Sequence, residues 1–151
     1  MAKTLLTLSV LATGLMAGLF SAFSYAVMPG LRNTDDVAFV SSMRGINKAI
    51  LVPIFGILFG GALILLAASL IALRHNAGVR PWVALALLLY VLTLLVTMAV
   101  NVPLNNGLET GSGSAESLRE AFESRWVGWN AIRALLNTGA FAAAAVALLR
   151  L

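Results

Sequence analysis

The sequence contains no cysteine, a single histidine and very little charge, and each shortage closes off a class of function. Without cysteine there is no disulfide framework, no thiolate nucleophile and no sulfur ligand for zinc or an iron–sulfur cluster. With His75 the sole histidine, one chain cannot assemble a histidine-rich metal site, and no metal ligands are assigned. Charged residues make up 11% of the chain and hydrophobic ones 60%, whereas a soluble domain carries about 25% charge. That leaves too little polar surface to cover a globule in water. Lipid is the solvent that suits such a chain, and the mean hydropathy of +0.95 agrees. The formal charge of +4 does not argue for nucleic acid as a partner. The lysines and arginines stand singly at helix ends, where membrane topology explains them.

A bilayer core needs about 20 mostly apolar residues per crossing helix. Four stretches qualify, at residues 4–28, 49–73, 81–100 and 128–149, and they predict an all-α, single-domain four-helix membrane bundle spanning 1–151. Proline marks their limits: Pro29 and Pro103 read as terminators of the first and third spans, Pro81 as an opening residue of the third. Pro53 reads as a kink early in the second span. The first span resembles a secretory signal, with Lys3 in front and Ser24-Tyr25-Ala26 as a cleavage site. Its apolar run outlasts the 7–15 residues of a signal core, so it is expected to stay in place as a true span.

The three connections between the spans differ in length. Arg74 to Arg80 is a short basic turn, whereas the other two connections are long enough for amphipathic helices over 34–48 and 115–128. The first has Asn33, Thr34 and Asp35 as candidate N-caps and an apolar stripe of Phe39, Met43, Ile46 and Ile50. The second has a Ser117-x-x-Glu120 capping box and a stripe of Leu118, Phe122, Trp126 and Trp129. Both are expected to lie at the membrane interface and bend into the spans that follow. Phe39-Val-Ser-Ser-Met-Arg-Gly-Ile-Asn47 and Phe122-Glu-Ser-Arg-Trp-Val-Gly-Trp-Asn130 share Phe, Ser, Gly and Asn in register. Each follows a span that reaches a proline, so the bundle reads as two copies of one hairpin in the same orientation.

Gly14-x-x-x-Gly18 and Gly56-x-x-x-Gly60 are stripes that let backbones approach closely in lipid. They serve packing within the bundle or, alternatively, a homo-oligomer. The polar residues gather at one end of the bundle: Asn47, Asn101, Asn105, Asn130 and Arg133, with Trp126 and Trp129 beside them. Arg133 falls about one turn into the fourth span, where an unpaired cation is a functional-site candidate by default. Asn130 and Asn137 share its helix face. These groups either brace the helix ends or line a pocket for a small polar group. Glu123 reads as a solvent-exposed residue, which leaves the cluster without a general base. The other end holds Lys3, Arg74, His75, Asn76, Arg80 and Arg150. That unopposed positive charge places both termini in the cytoplasm, the setting being a bacterial inner membrane.

Met28-Pro29-Gly30-Leu31, Met43-x-x-Ile46-Asn47, Asn101-Val102-Pro103-Leu104-Asn105 and Trp126-x-x-Trp129-Asn130-x-x-Arg133 together resemble the motifs of the anthrone oxygenase-like family of small four-helix membrane proteins. The resemblance spans essentially the whole chain. It implies a monooxygenase that oxidises a lipophilic, anthrone-like aromatic with dioxygen and uses no metal, flavin or other cofactor. On that reading Arg133 and Asn130 are the catalytic pair, holding a developing oxyanion. Asn47, Asn101, Asn105, Trp126 and Trp129 would bind the substrate, with the tryptophans stacking on it. The competing readings are a non-catalytic protein that binds a lipid, quinone or other hydrophobic metabolite, and a structural membrane protein.

Overall fold

Where helices begin and end in this chain is decided by a few caps and prolines. We describe them in a computed structural model that covers all residues, 1–151. Five helices account for the fold: α1 (Ala2–Arg32), α2 (Asp36–Ala49), α3 (Pro53–Ala72), α4 (Arg80–Thr110) and α5 (Ala115–Leu149). All but α2 are long and apolar enough to cross a membrane. α1, α3, α4 and α5 form a closed up-and-down bundle in which each packs on its neighbour in sequence and α5 closes on α1.

Pro29 and Pro103 do not end their helices. Each is preceded by a π-helical turn, Phe23–Val27 in α1 and Thr97–Asn101 in α4, and the helix runs on through the proline. A proline inside a helix removes one hydrogen bond and crowds the carbonyl a turn earlier. The wider π turn, seen in the bonds from Met28 N–H to the Phe23 carbonyl and from Val102 N–H to Thr97, takes up that strain locally. Pro53 also differs from expectation. It opens α3 rather than kinking it, because the residue before a proline avoids helical geometry, and Val52 is extended at φ −90°, ψ 151°.

Asp35 caps α2, its carboxylate accepting the Ala38 N–H at 2.8 Å. The cap of α5 is Ser114, which accepts the Ser117 N–H at 3.2 Å, so the Ser117/Glu120 box is not the one used. Nor does the amphipathic segment 115–128 bend into a separate span. It is the first part of one 35-residue helix. Its Phe122 and Trp126, with Phe39 and Met43 of α2, build an apolar cluster under the polar end of the bundle. Phe39 and Phe122 meet across it at 6.3 Å between ring centroids.

Two arginines tie the helix ends there. Arg44 of α2 donates from Nε to the Leu108 carbonyl at 2.9 Å and from Nη2 to Gly111 at 3.0 Å, at the C-terminus of α4. Arg119 of α5 donates to the Thr34 and Arg32 carbonyls at 2.9 and 3.0 Å, at the C-terminus of α1. Terminal carbonyls have no partner within their own helix, so each arginine completes a helix from the other half of the chain.

The glycine stripes divide. A Cβ at Gly14 would meet the Phe141 ring at 3.0 Å, so that glycine serves the α1–α5 contact, whereas Gly18, Gly56 and Gly60 face open space. Gly139 admits Leu89 of α4, with 3.1 Å to a would-be Cβ.

Candidate functional site

α4 and α5 run antiparallel, and two contacts fix their register. The Trp126 Nε1–H donates to Asn105 Oδ1 at 2.8 Å, and Arg133 Nη1 reaches Thr97 Oγ1 at 3.5 Å. Eight residues of α4 thus face seven of α5. The π turn of α4 carries Thr97 and Asn101. The register sets Asn101 across from Asn130 and Thr93 across from Asn137.

Arg133 is 6% exposed and Asn130 1%, although both lie on a helix otherwise rich in alanine. Asn130 is fully engaged. Its amide nitrogen donates to Ser24 Oγ at 2.8 Å and to the Phe20 carbonyl at 3.1 Å, and its oxygen accepts from Arg133 Nη2 at 2.9 Å. Ser24 belongs to the π turn of α1, so each of the two π turns delivers a polar group to this pair. The guanidinium carbon of Arg133 also stands 4.6 Å from the Phe20 ring centroid and 5.5 Å from that of Trp126.

No carboxylate reaches Arg133: the ion pairs are Lys48–Glu109, Arg119–Asp36 and Arg119–Glu123. Two aromatic faces offset part of the burial of a cation, about 0.5–2 kcal/mol each. Desolvating the ion costs several kcal/mol. The guanidinium Nε has no protein partner, and neither does any polar side-chain atom of Asn101 or Asn137, both 0% exposed. Native proteins pair nearly all such groups. Five buried polar atoms here thus have no partner among the protein's own groups.

The residues singled out from the sequence do not all converge here. Asn130, Arg133, Asn101 and Trp126 do. Trp126 is 4% exposed and wedged between Phe23 and Phe122, its indole N–H committed to Asn105. Trp129, three residues on, is 37% exposed, so the two tryptophans differ in burial. Asn47 sits on α2 with a buried, unpaired Nδ2 and makes no hydrogen bond to Asn130 or Arg133. Phe20, Ser24 and Thr97 carry no signal of their own in a span composition, and only the Pro29 and Pro103 positions hint at the turns that present two of them.

Beside the cluster lies a cleft of about 790 Å³ between the end of α1, the start of α2 and the start of α5. Ser24 lines it, which connects it to Asn130. Its wall holds Glu123, which is not the free surface carboxylate expected from its helix: its side chain is 21% exposed and bound to Arg119 Nε at 2.7 Å.

Fold and cluster together define a class: a small, all-helical bundle of membrane-spanning character that buries a cation and several amides against aromatic rings. The chain belongs to the anthrone oxygenase family, whose model, described as Anthrone oxygenase, matches residues 39–143. The matched region includes Asn47, Asn101, Asn105, Trp126, Trp129, Asn130, Arg133 and Asn137, and excludes α1 with Phe20 and Ser24. No curated protein and no solved structure matches the chain.

Proposed function

We propose that the protein is a cofactor-independent oxygenase acting on a lipophilic, anthrone-like aromatic. The observation that carries this reading is Arg133, buried beside two aromatic rings, held by Asn130 and facing no carboxylate. An anthrone has an acidic ring CH2. Loss of one proton gives a carbanion whose charge rests largely on the ketone oxygen, and a guanidinium with flanking amides stabilises that oxyanion. The anion passes an electron to dioxygen, a carbon–oxygen bond forms, and the hydroperoxide loses water to leave the second ketone. The balance is one anthrone and one dioxygen to one anthraquinone and one water. A site inside the bundle keeps bulk water from the reactive intermediates.

Arg133 and Asn130 are the residues we assign to the oxyanion, with Asn101 and Asn137 as further amide contacts and Trp126 as the wall of the site. We place the protein in a bacterial inner membrane with both termini in the cytoplasm, because Lys3, Arg74, Arg80 and Arg150 leave that end of the bundle positive and free of acids.

The test is oxygen uptake by purified protein in detergent micelles supplied with an anthrone. The expected result is uptake above the autoxidation rate of protein-free micelles, one equivalent per quinone formed, lost in Arg133→Gln. Uptake no faster than in protein-free micelles overturns the reading. One observation favours binding without catalysis: the six carboxylates belong to residues 35–36 and 109–123 and none is paired with Arg133, while the sole histidine, His75, lies in the turn at the far end. Tight, stoichiometric retention of the aromatic without uptake would establish that alternative.

A further inference from the structure

We propose that the Arg133 cluster is a receptor for a lipophilic monoanion, taking its ligand as the ionised form of a weakly acidic phenol or enol rather than as the neutral molecule. This rests on the reading above for the aromatic character of the ligand, and on separate observations for its charge.

All six carboxylates of the chain belong to residues 35–36 and 109–123, and none pairs with Arg133. No titratable side chain faces the guanidinium from its neighbours. α1 offers Phe20 and Ser24, and α4 offers Thr97, whose own hydroxyl donates to the Thr93 carbonyl. Tyr90, on α4, spends its hydroxyl on the Phe59 carbonyl of α3 at 2.7 Å. Along α5 the nearest carboxylate is Glu123, about 15 Å away at the helical rise and already bound to Arg119.

Hydrogen-bonding capacity points the same way. The unpaired buried atoms near Arg133 are three nitrogens (Arg133 Nε, Asn101 Nδ2 and Asn137 Nδ2) and two oxygens, Asn101 Oδ1 and Asn137 Oδ1. Apart from the two amides, the guanidinium keeps a free Nε–H donor and a charge with no carboxylate against it. A single oxyanion answers both the free Nε–H and the charge of the guanidinium, whereas a neutral quinone answers the N–H alone. One guanidinium suits one negative charge.

The selection of charge state also accounts for the absence of a base. If the cluster lowers the pKa of the bound ligand, the ionised form accumulates in the site at the pH of the surroundings. The proton leaves to solvent, and no side chain has to hold it.

The experiment uses the full chain in detergent micelles and 2-hydroxyanthraquinone, a dye whose visible absorption changes on ionisation. The dye pKa should fall by at least one unit in the presence of protein relative to empty micelles, which is a tenfold preference for the anion. Affinity should then rise with pH between the bound and free pKa values and level off above the free value. Arg133→Gln should abolish the shift, Arg133→Lys should retain part of it, and Arg80→Gln, at the far end, should leave it unchanged. The O-methyl ether of the dye cannot ionise and should bind wild type at least tenfold more weakly above the dye pKa. That comparison decides the matter even if Arg133→Gln does not fold. An unshifted dye, a shift that survives Arg133→Gln, or equal binding of the ether overturns the proposal. A shifted dye without oxygen uptake from an anthrone leaves the anion receptor standing and removes the oxygenase. Uptake with an unshifted dye does the reverse.

Discussion

Asn137→Leu is expected to strengthen the fold while weakening the site. Asn137 is 0% exposed and neither its amide nitrogen nor its oxygen meets a protein partner. Thr93, the polar residue across from it by register, uses its hydroxyl on the Leu89 carbonyl at 3.0 Å. Burying an unpaired amide costs about 1–3 kcal/mol by mutational measures. Leucine keeps the branched shape, so the exchange removes this cost without opening a cavity, and its bulkier methyl groups take back part of the gain. The net expectation is a gain of about 1 kcal/mol, readable by reversible unfolding of purified protein in mixed micelles titrated with a denaturing detergent. Asn105→Leu is the control. Asn105 accepts the Trp126 indole N–H, so its loss leaves a buried donor unpaired and costs about 1–2 kcal/mol. The same Asn137→Leu protein should bind a hydroxyanthraquinone anion more weakly, a trade of stability against function. If Asn137→Leu instead loses 1 kcal/mol or more, the amide is satisfied in the folded protein. The amide then is not held open for a ligand.

Arg119→Gln should lower stability by roughly 2 kcal/mol, since it breaks charge-assisted bonds to two helix-end carbonyls and two carboxylates; the same unfolding titration measures it. Gly14→Val should cost about 1–3 kcal/mol by overpacking against Phe141, while Gly56→Ala and Gly60→Ala, which meet nothing, should be close to neutral. Tyr90→Phe should lose about 1 kcal/mol with the fold intact by circular dichroism, because one buried hydroxyl contact to the Phe59 carbonyl disappears.

Hydropathy alone made the four crossings legible, and the Phe39/Met43 and Phe122/Trp126 stripes announced helices outside them. Bounds were harder. Pro29 and Pro103 read as stops because proline costs an α-helix a bond and a clash, but a π turn two residues upstream changes that local geometry, and no residue type marks such a turn. Arg133 and Asn130 stood out because a cation and an amide within an apolar span have few bland explanations. Their partners did not: Phe20, Ser24 and Thr97 are ordinary span residues until a neighbouring helix brings them into contact. Trp126 and Trp129 were grouped because spacing of three is compatible with one face. Burial separated them, since the core-facing arc of α5 reaches only the first. Arg119 and Glu123 looked like solvated surface charge, and only the tertiary placement of the α1 terminus gives that arginine its work.

The crossed arginines also bear on how the protein is made. Arg44 is synthesised before the carbonyls of Leu108 and Gly111 that it serves, and the carbonyls of Arg32 and Thr34 are synthesised long before Arg119. The first hairpin therefore enters the bilayer with an idle cation and an open helix end, and both are answered only when the second hairpin arrives. Neither half is a finished unit on its own. Cut in the turn from Arg74 to Arg80, the two fragments should find each other in the membrane and complement, because each holds the fastening that the other lacks.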